Sequence, residues 1–207
     1  MSAGDGLPNL HLSKHRLEAL VDGVFAIAMT ILILEVKVPE LASPRSAAEL
    51  AAHLAHHLPT ILAYFFSFGL LGVFWAWHHR LARLIASLDV PLVALSLFFL
   101  SLVSFFPFAA ALVGRYLMNP VSMAVYFPTT GLILATQWMT LELARSRGRL
   151  DPDVPAGEIL AARRRNGRGL AIFALANLPN ALRFGWIPMG FTLALGVALL
   201  VWTRRLR

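Results

Sequence analysis

Two ionisable side chains, Arg16 and Asp22, stand at the entrance of an apolar segment near the start of the chain. Beyond Asp22 the segment is apolar as far as Glu35, with Thr30 as its one polar interruption. Ionisable groups close to hydrocarbon cost free energy, so a chain that keeps them there usually uses them. Residues six apart on an α-helix lie on different faces, so these two side chains cannot readily pair with each other. We therefore expect each to find a partner on another helix or another subunit.

An aliphatic stripe runs along the same segment. Ile27, Ile31 and Leu34 follow the i, i+4, i+7 spacing of one helix face. Arg16 falls on the same side, and Thr30 lies at its margin. Such a stripe either packs against neighbouring helices or lines a pore. Packing is the commoner reason for the pattern, and the residues alone leave both interpretations open.

Histidines occur in two groups that could carry metal or acid–base chemistry. His78 and His79 follow two tryptophans, as in the aromatic belt at a membrane surface. If the protein were a membrane enzyme or a haem protein, it would use His78 and His79. The second group, His53, His56 and His57, has the i, i+3, i+4 spacing that suits zinc. The chain has no cysteine, and no zinc-protease, nucleophile-elbow or phosphate-loop motif is present. We expect an exposed helix face there, no metal site, no cofactor and no enzymatic activity.

The composition places these residues in a membrane protein. Of 207 residues, 58% are hydrophobic and only 14% are charged, and the mean hydropathy is +0.69. Long uncharged runs recur along the chain, which is typical of integral membrane proteins. The first run follows basic residues, is long enough to span and lacks a small-residue cleavage site, so we expect no cleaved signal peptide.

The apolar runs predict an all-α integral membrane domain over residues 1–207 with six transmembrane helices. The predicted spans are Leu17–Leu34, Leu58–Trp77, Val90–Val113, Val121–Leu143, Leu170–Phe184 and Trp186–Thr203. The last two share one apolar stretch interrupted by polar residues and proline. A tight hairpin of two short helices is the preferred interpretation, and one long span with a re-entrant piece is the alternative.

The basic residues predict the topology. If both termini are cytoplasmic and the chain crosses six times, all but four of the 18 basic residues lie inside. The four outside are Lys37, Arg45, Arg115 and Arg183. The Arg-rich segment 144–168 then becomes a cytoplasmic loop near anionic headgroups, so the net charge of +7 indicates topology and not nucleic-acid binding.

Four blocks of sequence resemble the transmembrane protein 175 family of endosomal and lysosomal potassium channels and their bacterial relatives. The first runs from Arg16 through Asp22 to Pro39, where the family carries Arg-x-x-x-Phe-Ser-Asp on its first helix. The others are Leu62–Phe68, Phe74–Leu81 and Phe106–Phe108. The chain departs from the motif at Leu20, which replaces Phe, and at Val21, which replaces Ser.

The resemblance implies a homotetramer with a central pore that is lined by the first helix of each subunit and is selective for K⁺ without a carbonyl filter. Matched by position, the hydrophobic constriction falls on Ile27, with Ile31 and Leu34 further along. Thr30 becomes the nearby hydroxyl that contacts a partly hydrated ion. The resemblance implies no cofactor, with K⁺ as the permeant ion. The implied partners are further copies of the chain, the lipid bilayer and K⁺.

The resemblance also implies a polar network that ties helices together at the cytoplasmic end of the pore. Its members are Arg16, Asp22, Trp75 and His79. Val21 in place of Ser removes one hydroxyl from that network, and Ser96 stands where relatives often have Asn. The sequence therefore favours a potassium channel of the bacterial inner membrane. The alternatives are a non-conducting scaffold of the same fold and a secondary transporter whose substrate would be bound by Asn177, Asn180, Gln137 and Thr130.

Overall fold

Five α-helices make up most of residues 13–117 and 119–184, the part of the chain that the computed structural model describes. They are α1 (Lys14–Ile31), α2 (Ala47–Arg83), α3 (Val90–Arg115), α4 (Pro120–Ser146) and α5 (Ala156–Phe184). A short 3₁₀ turn, Leu32–Glu35, continues α1. The all-α prediction is confirmed.

Polar caps set where four helices begin. Ser13, Ser46, Asp89 and Asn119 each accept a hydrogen bond from a backbone N–H two or three residues further on. These bonds satisfy N–H groups that the first helical turn leaves without a partner. Proline occupies the first turn of α3 and α4, where its missing N–H costs nothing.

Helix α2 is much longer than its predicted span. It begins at Ala47 instead of Leu58 and ends at Arg83 instead of Trp77. Its 37 residues measure about 56 Å at the usual helical rise, against about 30 Å of bilayer hydrocarbon. Alanine, leucine and glutamate before Leu58 are strong helix formers, so the helix continues where hydropathy falls.

Aromatic side chains hold the first three helices together. The rings of Phe25 on α1 and Phe99 on α3 have centroids 5.8 Å apart. Phe74 on α2 meets Phe106 on α3 edge-on at 6.3 Å, and Phe106 meets Tyr126 on α4 at 5.4 Å. All but Tyr126 are fully buried, so these contacts bury large areas and fix ring geometry between helices.

The loops α2–α3 and α4–α5 lie side by side at one end of the bundle. An isolated antiparallel β-bridge joins Ile85 to Leu150, and the N–H of Ala86 donates to the carbonyl of Arg149 at 2.9 Å. Such backbone pairing between loops satisfies groups that would otherwise need water. The helix hairpins α2–α3 and α4–α5 are therefore joined by backbone hydrogen bonds between their loops.

Asp89 strengthens this tie through its side chain. Its carboxylate accepts hydrogen bonds from the guanidinium groups of Arg147 and Arg149 and from the N–H of Leu92. Burial alone would raise the pKa of Asp89, but these hydrogen bonds and the charge of Arg147 outweigh it and hold the pKa below its ordinary value. The ionised form therefore stabilises the folded protein.

The prediction of a long Arg-rich loop over residues 144–168 is wrong in extent. Helix α4 runs to Ser146 and α5 begins at Ala156, so only the residues between them form a loop. Gly148, at φ 62°, ends α4, and the N–H of Arg149 closes the turn on the carbonyl of Ala144 at 2.8 Å. The later arginines sit in helix because alanine, leucine and arginine all favour it.

The predicted spans agree unequally with the helices. Within the described residues, three helical segments are long and apolar enough to cross a membrane: Lys14–Glu35, Ala47–Arg83 and Val90–Arg115. The fourth and fifth predicted spans lie within α4 and α5, and the sixth, Trp186–Thr203, lies outside the described residues. Six spans and cytoplasmic termini therefore stay predictions.

Replacing Asp89 with Asn tests the tie between the loops. Asparagine retains the helix cap but loses the charge-assisted bonds, so we expect a loss of about 1.5–3 kcal/mol in stability at neutral pH. Because the folded pKa is depressed, the wild-type advantage persists above the ordinary value of 3.8 and disappears as the pH falls through the folded pKa. Thermal unfolding of the detergent-solubilised protein between neutral and acidic pH measures both effects.

Asp153→Asn is the control, because Asp153 is an exposed acid in the neighbouring α4–α5 loop. It should unfold like the wild type. Equal unfolding temperatures for the Asp89 and Asp153 variants at neutral pH would contradict the structural role of Asp89.

Candidate functional site

Helix α1 has one face that packs and one that does not. Its packed face is a stripe of residues whose side chains are at most 6% exposed: Leu17, Val21, Phe25 and Ala28. Val21, Phe25 and Ala28 belong to one core with residues of α2 and α3, where the fully buried Leu71 and Phe74 lie. The packing fixes which side of α1 faces outward.

The outward side carries the aliphatic stripe predicted from the sequence. Ile27 is 59% exposed, Ile31 44% and Leu34 61% in the single chain. Leu20 is also exposed, whereas Val21 is buried. Among the described residues, α2 and α3 contact the Phe25 side of α1 and leave the stripe exposed.

Thr30 lies exposed next to this stripe. Its hydroxyl donates toward two carbonyls of its own helix, those of Ala26 and Ile27, both at 2.9 Å. The hydroxyl proton is thus engaged by the helix. The lone pairs of the oxygen remain available on the outward face, where they can accept a hydrogen bond or coordinate a cation.

Asp22 is held by a residue of α2. The indole N–H of Trp75 donates to the carboxylate at 2.8 Å, and the ring of His79 stacks on Trp75 with centroids 5.8 Å apart. The structure therefore brings together three of the four predicted network residues. His79 acts by stacking, and a hydrogen bond from His79 to α1 is not found among the described residues.

Arg16 is exposed, on the same side as the aliphatic stripe. Within the described part of the chain its guanidinium has no hydrogen-bond or ion-pair partner. Since Asp22 is six residues away and bonded to Trp75, the inference that the two do not serve each other agrees with the geometry. Arg16 is left facing out of the subunit.

Charged groups surround the Asp22–Trp75 pair in a groove between α1 and α2. Lys14, Glu18 and Arg83 line the groove with Asp22, and Lys14 lies 3.8 Å from Glu18. Both signs of charge are present, so the groove is a polar joint between helices. The described residues contain no cluster of histidine and acidic side chains that could hold a metal ion.

Some polar contacts could not be found from the sequence. His78 is buried against the ring of Phe99, nearly parallel at a centroid distance of 4.6 Å, although the sequence pattern suggested a belt at the membrane surface. Ser96 donates to the carbonyl of Leu92 in its own helix, and among the described residues its hydroxyl makes no hydrogen bond to α1. For Asp89 a signal existed: it precedes a proline at the start of an apolar run, as helix caps do.

Three of the four residues assigned to a transported substrate have their side-chain donors bonded to backbone carbonyls. Gln137 donates to the carbonyl of Phe74 at 3.1 Å, and Thr130 donates within its own helix to Tyr126. Asn177 likewise donates to Phe173, while the side chain of Asn180 lies outside the described set. These donors are used in helix packing and geometry, which weakens the transporter hypothesis.

The chain matches the family model described as endosomal/lysosomal potassium channel TMEM175 over residues 16–107. A protein of Streptomyces collinus named as a potassium channel is 35% identical over 175 residues, which cover 82% of this chain and 80% of that one. The mouse endosomal/lysosomal proton channel TMEM175 is 33% identical over 114 residues, 53% of this chain and 23% of the mouse protein.

The fold has a counterpart of known structure. The crystal structure of a lysosomal potassium-selective channel TMEM175 homolog from Chamaesiphon minutus superposes with a TM-score of 0.71 at 28% identity. The match covers 92% of this chain and 97% of that one. The similarity in sequence runs along most of both chains, and the fold agrees with it. The chain belongs to the TMEM175 family of endosomal/lysosomal potassium channels.

Proposed function

We propose that the protein is a potassium channel of the bacterial inner membrane, built as a homotetramer around four copies of α1. The observation that carries the proposal is the uncovered aliphatic stripe of α1, opposite a face that is fully packed. Relatives named as potassium channels, at 35% and 38% identity, support K⁺ as the permeant ion.

A closed ring of subunits explains the exposure of the stripe. In a fourfold ring each subunit presents one surface to the axis and uses two others for its neighbours. Ile27 of α1 and Leu34 of the 3₁₀ turn that continues it face outward, and α1 is anchored through its Phe25 side. Four such helices around one axis enclose a narrow apolar passage.

The amount of water in the passage controls both which cations pass and whether ions flow at all. A narrow aliphatic ring empties of water unless it widens slightly, so it can stop ion flow without a moving plug. Removing the whole water shell of a cation there would cost too much free energy, so an open neck has to admit partly hydrated K⁺. Ile27 forms the constriction, and Ile31 and Leu34 extend it.

Thr30 contributes an oxygen to this passage. Because its hydroxyl proton is directed into the helix, toward the carbonyls of Ala26 and Ile27, its lone pairs point outward. Four such oxygens next to the aliphatic ring replace some of the water ligands that K⁺ loses at the neck.

Asp22, Trp75 and His79 hold α1 at the cytoplasmic end of the pore. The Asp22–Trp75 bond joins α1 to α2 within one subunit. Arg16 faces outward beside the stripe, and we infer that it bonds to the neighbouring subunit. The polar network thus has one bond within the subunit and one between subunits. Each chain of the proposed channel has six transmembrane helices, with both termini in the cytoplasm.

Replacing Ile27 with Asn tests the constriction. A polar ring holds water in the neck, so we expect K⁺ flux in proteoliposomes to rise and the preference for K⁺ over Na⁺ to weaken. Fluorescent K⁺, Na⁺ and pH indicators in parallel measure which ion passes.

Ile33→Asn is the matched control, since Ile33 is also exposed but lies on a different face of the segment. It should conduct like the wild type. Unchanged flux and ion preference in the Ile27 variant would exclude Ile27 as the constriction, and a flux of protons without K⁺ would contradict the assignment of the permeant ion.

Asp22→Ala and Trp75→Phe test the joint between α1 and α2. Both variants lose the same hydrogen bond, so each should lower the unfolding temperature and reduce the tetramer fraction in native mass spectrometry. The double variant should be little worse than either single one, because the bond is already absent. Fully additive losses would mean that the two residues act separately, and an unaltered tetramer would contradict the role of the joint in assembly.

A further inference from the structure

A groove between α2 and α5 combines three arginines with apolar walls. Arg164, Arg165 and Arg168 line it from α5, and Trp77 lines it from α2. Gly169 lets the helices meet here, since a Cβ at this position would lie 2.9 Å from the ring of Trp77. The floor of the groove is therefore an aromatic ring, and its rim is cationic.

The three arginines differ from the arginines that precede them. Arg145 and Arg163 both pair with Glu142, as Arg147 and Arg149 pair with Asp89. Within the described part of the chain, none of the three groove arginines forms an ion pair. The preceding arginines are thus neutralised locally by carboxylates, and the groove arginines are not.

The three positive charges repel one another. Arg164 and Arg168 are one helical turn apart, a spacing at which like charges are destabilising. Arg165 also feels the like charge of Arg80 on α2, with Glu158 as the opposing charge. Its Nε is buried without a hydrogen-bond partner among the described residues. A bound anion would relieve the repulsion and supply the missing acceptor.

The groove has an apolar end as well as a basic one. Ile172, 66% exposed, lies two turns beyond Arg165 on α5 and lines the same groove. Trp77 ends the apolar part of α2, and Arg80 and Arg83 follow, the order in which aromatic and basic residues meet the surface of a membrane. A phosphate at the arginines and an acyl chain along Ile172 match the two ends of one molecule.

We propose that this groove binds an anionic phospholipid of the bilayer, with the phosphate at Arg164, Arg165 and Arg168 and the acyl chain against Trp77 and Ile172. The site is separate from α1 and does not depend on whether the protein conducts ions. Its chemistry is that of basic pockets between membrane helices that bind lipid headgroups.

Native mass spectrometry of the full-length protein, titrated with dioleoylphosphatidylglycerol and with dioleoylphosphatidylcholine, tests the proposal. The wild type should bind the anionic lipid more tightly. Removing two charges with Arg164→Gln and Arg168→Gln should weaken binding of the anionic lipid about 30-fold. Binding of the zwitterionic lipid should change little.

Two further variants separate the groove from general charge. The double variant Arg145→Gln and Arg163→Gln removes the same net charge from arginines that are already paired, so it should weaken binding by less than about twofold. Ala161→Trp fills the groove from its exposed rim without changing charge, and it should weaken binding as much as the groove double variant does. Thermal unfolding of each variant shows that it is folded.

Three results would overturn the proposal. Equal losses in the two double variants would mean that diffuse positive charge attracts the lipid. Normal binding by the Ala161 variant would place the lipid elsewhere. Displacement of the lipid by excess inorganic phosphate would mean a site for soluble anions.

Discussion

The rotation of α1 about its own axis is the constraint on which the candidate pore depends. Phe25 is buried against Phe99, and at about 100° per residue it lies about 200° from Ile27. Asp22, bonded to Trp75, lies about 140° from Ile27 on the same reckoning. One apolar and one polar contact, both far from the stripe, thus hold the stripe outward, and a slip that put Ile27 in the place of Ala28 would turn it into the core.

The two contacts differ in what they can tolerate. The packing of Phe25 is enclosed and resists any change in volume, because a protein interior has few voids. The Asp22–Trp75 bond lies in an accessible polar groove lined by groups of both charges. α1 is therefore held rigidly at its middle and adjustably near its N-terminal end. For a channel of the proposed kind, this end is the part of the pore wall that can yield without disrupting the core.

The sequence predicted the helices of the core well and their ends poorly. Apolar runs mark α1 and α3 because the bilayer requires both a length and a composition. The same rule does not limit α2, which begins at its Ser46 cap, or α5, whose first turns contain helix-forming alanine, leucine and arginine. The faces of α1 followed from its period, although the pattern could not decide between packing and exposure.

The partner of Asp22 came from family resemblance, since a contact between Asp22 and Trp75 leaves no local pattern in the sequence. The hydrogen bond from Gln137 to Phe74 and the burial of His78 depend on how neighbouring helices pack, which the residues of one helix do not encode.

The β-bridge between Ile85 and Leu150 also sets an order of events during synthesis. Ile85 and Leu150 lie in the loops of different helix hairpins, so the bridge cannot form before α4 has been made and has folded back beside α3. Helices α1–α3 must therefore hold together without it, through their own aromatic contacts. The bridge and the Asp89 ion pairs therefore form late. They stabilise the unit of α1–α4 only after the loop that follows α4 has been synthesised.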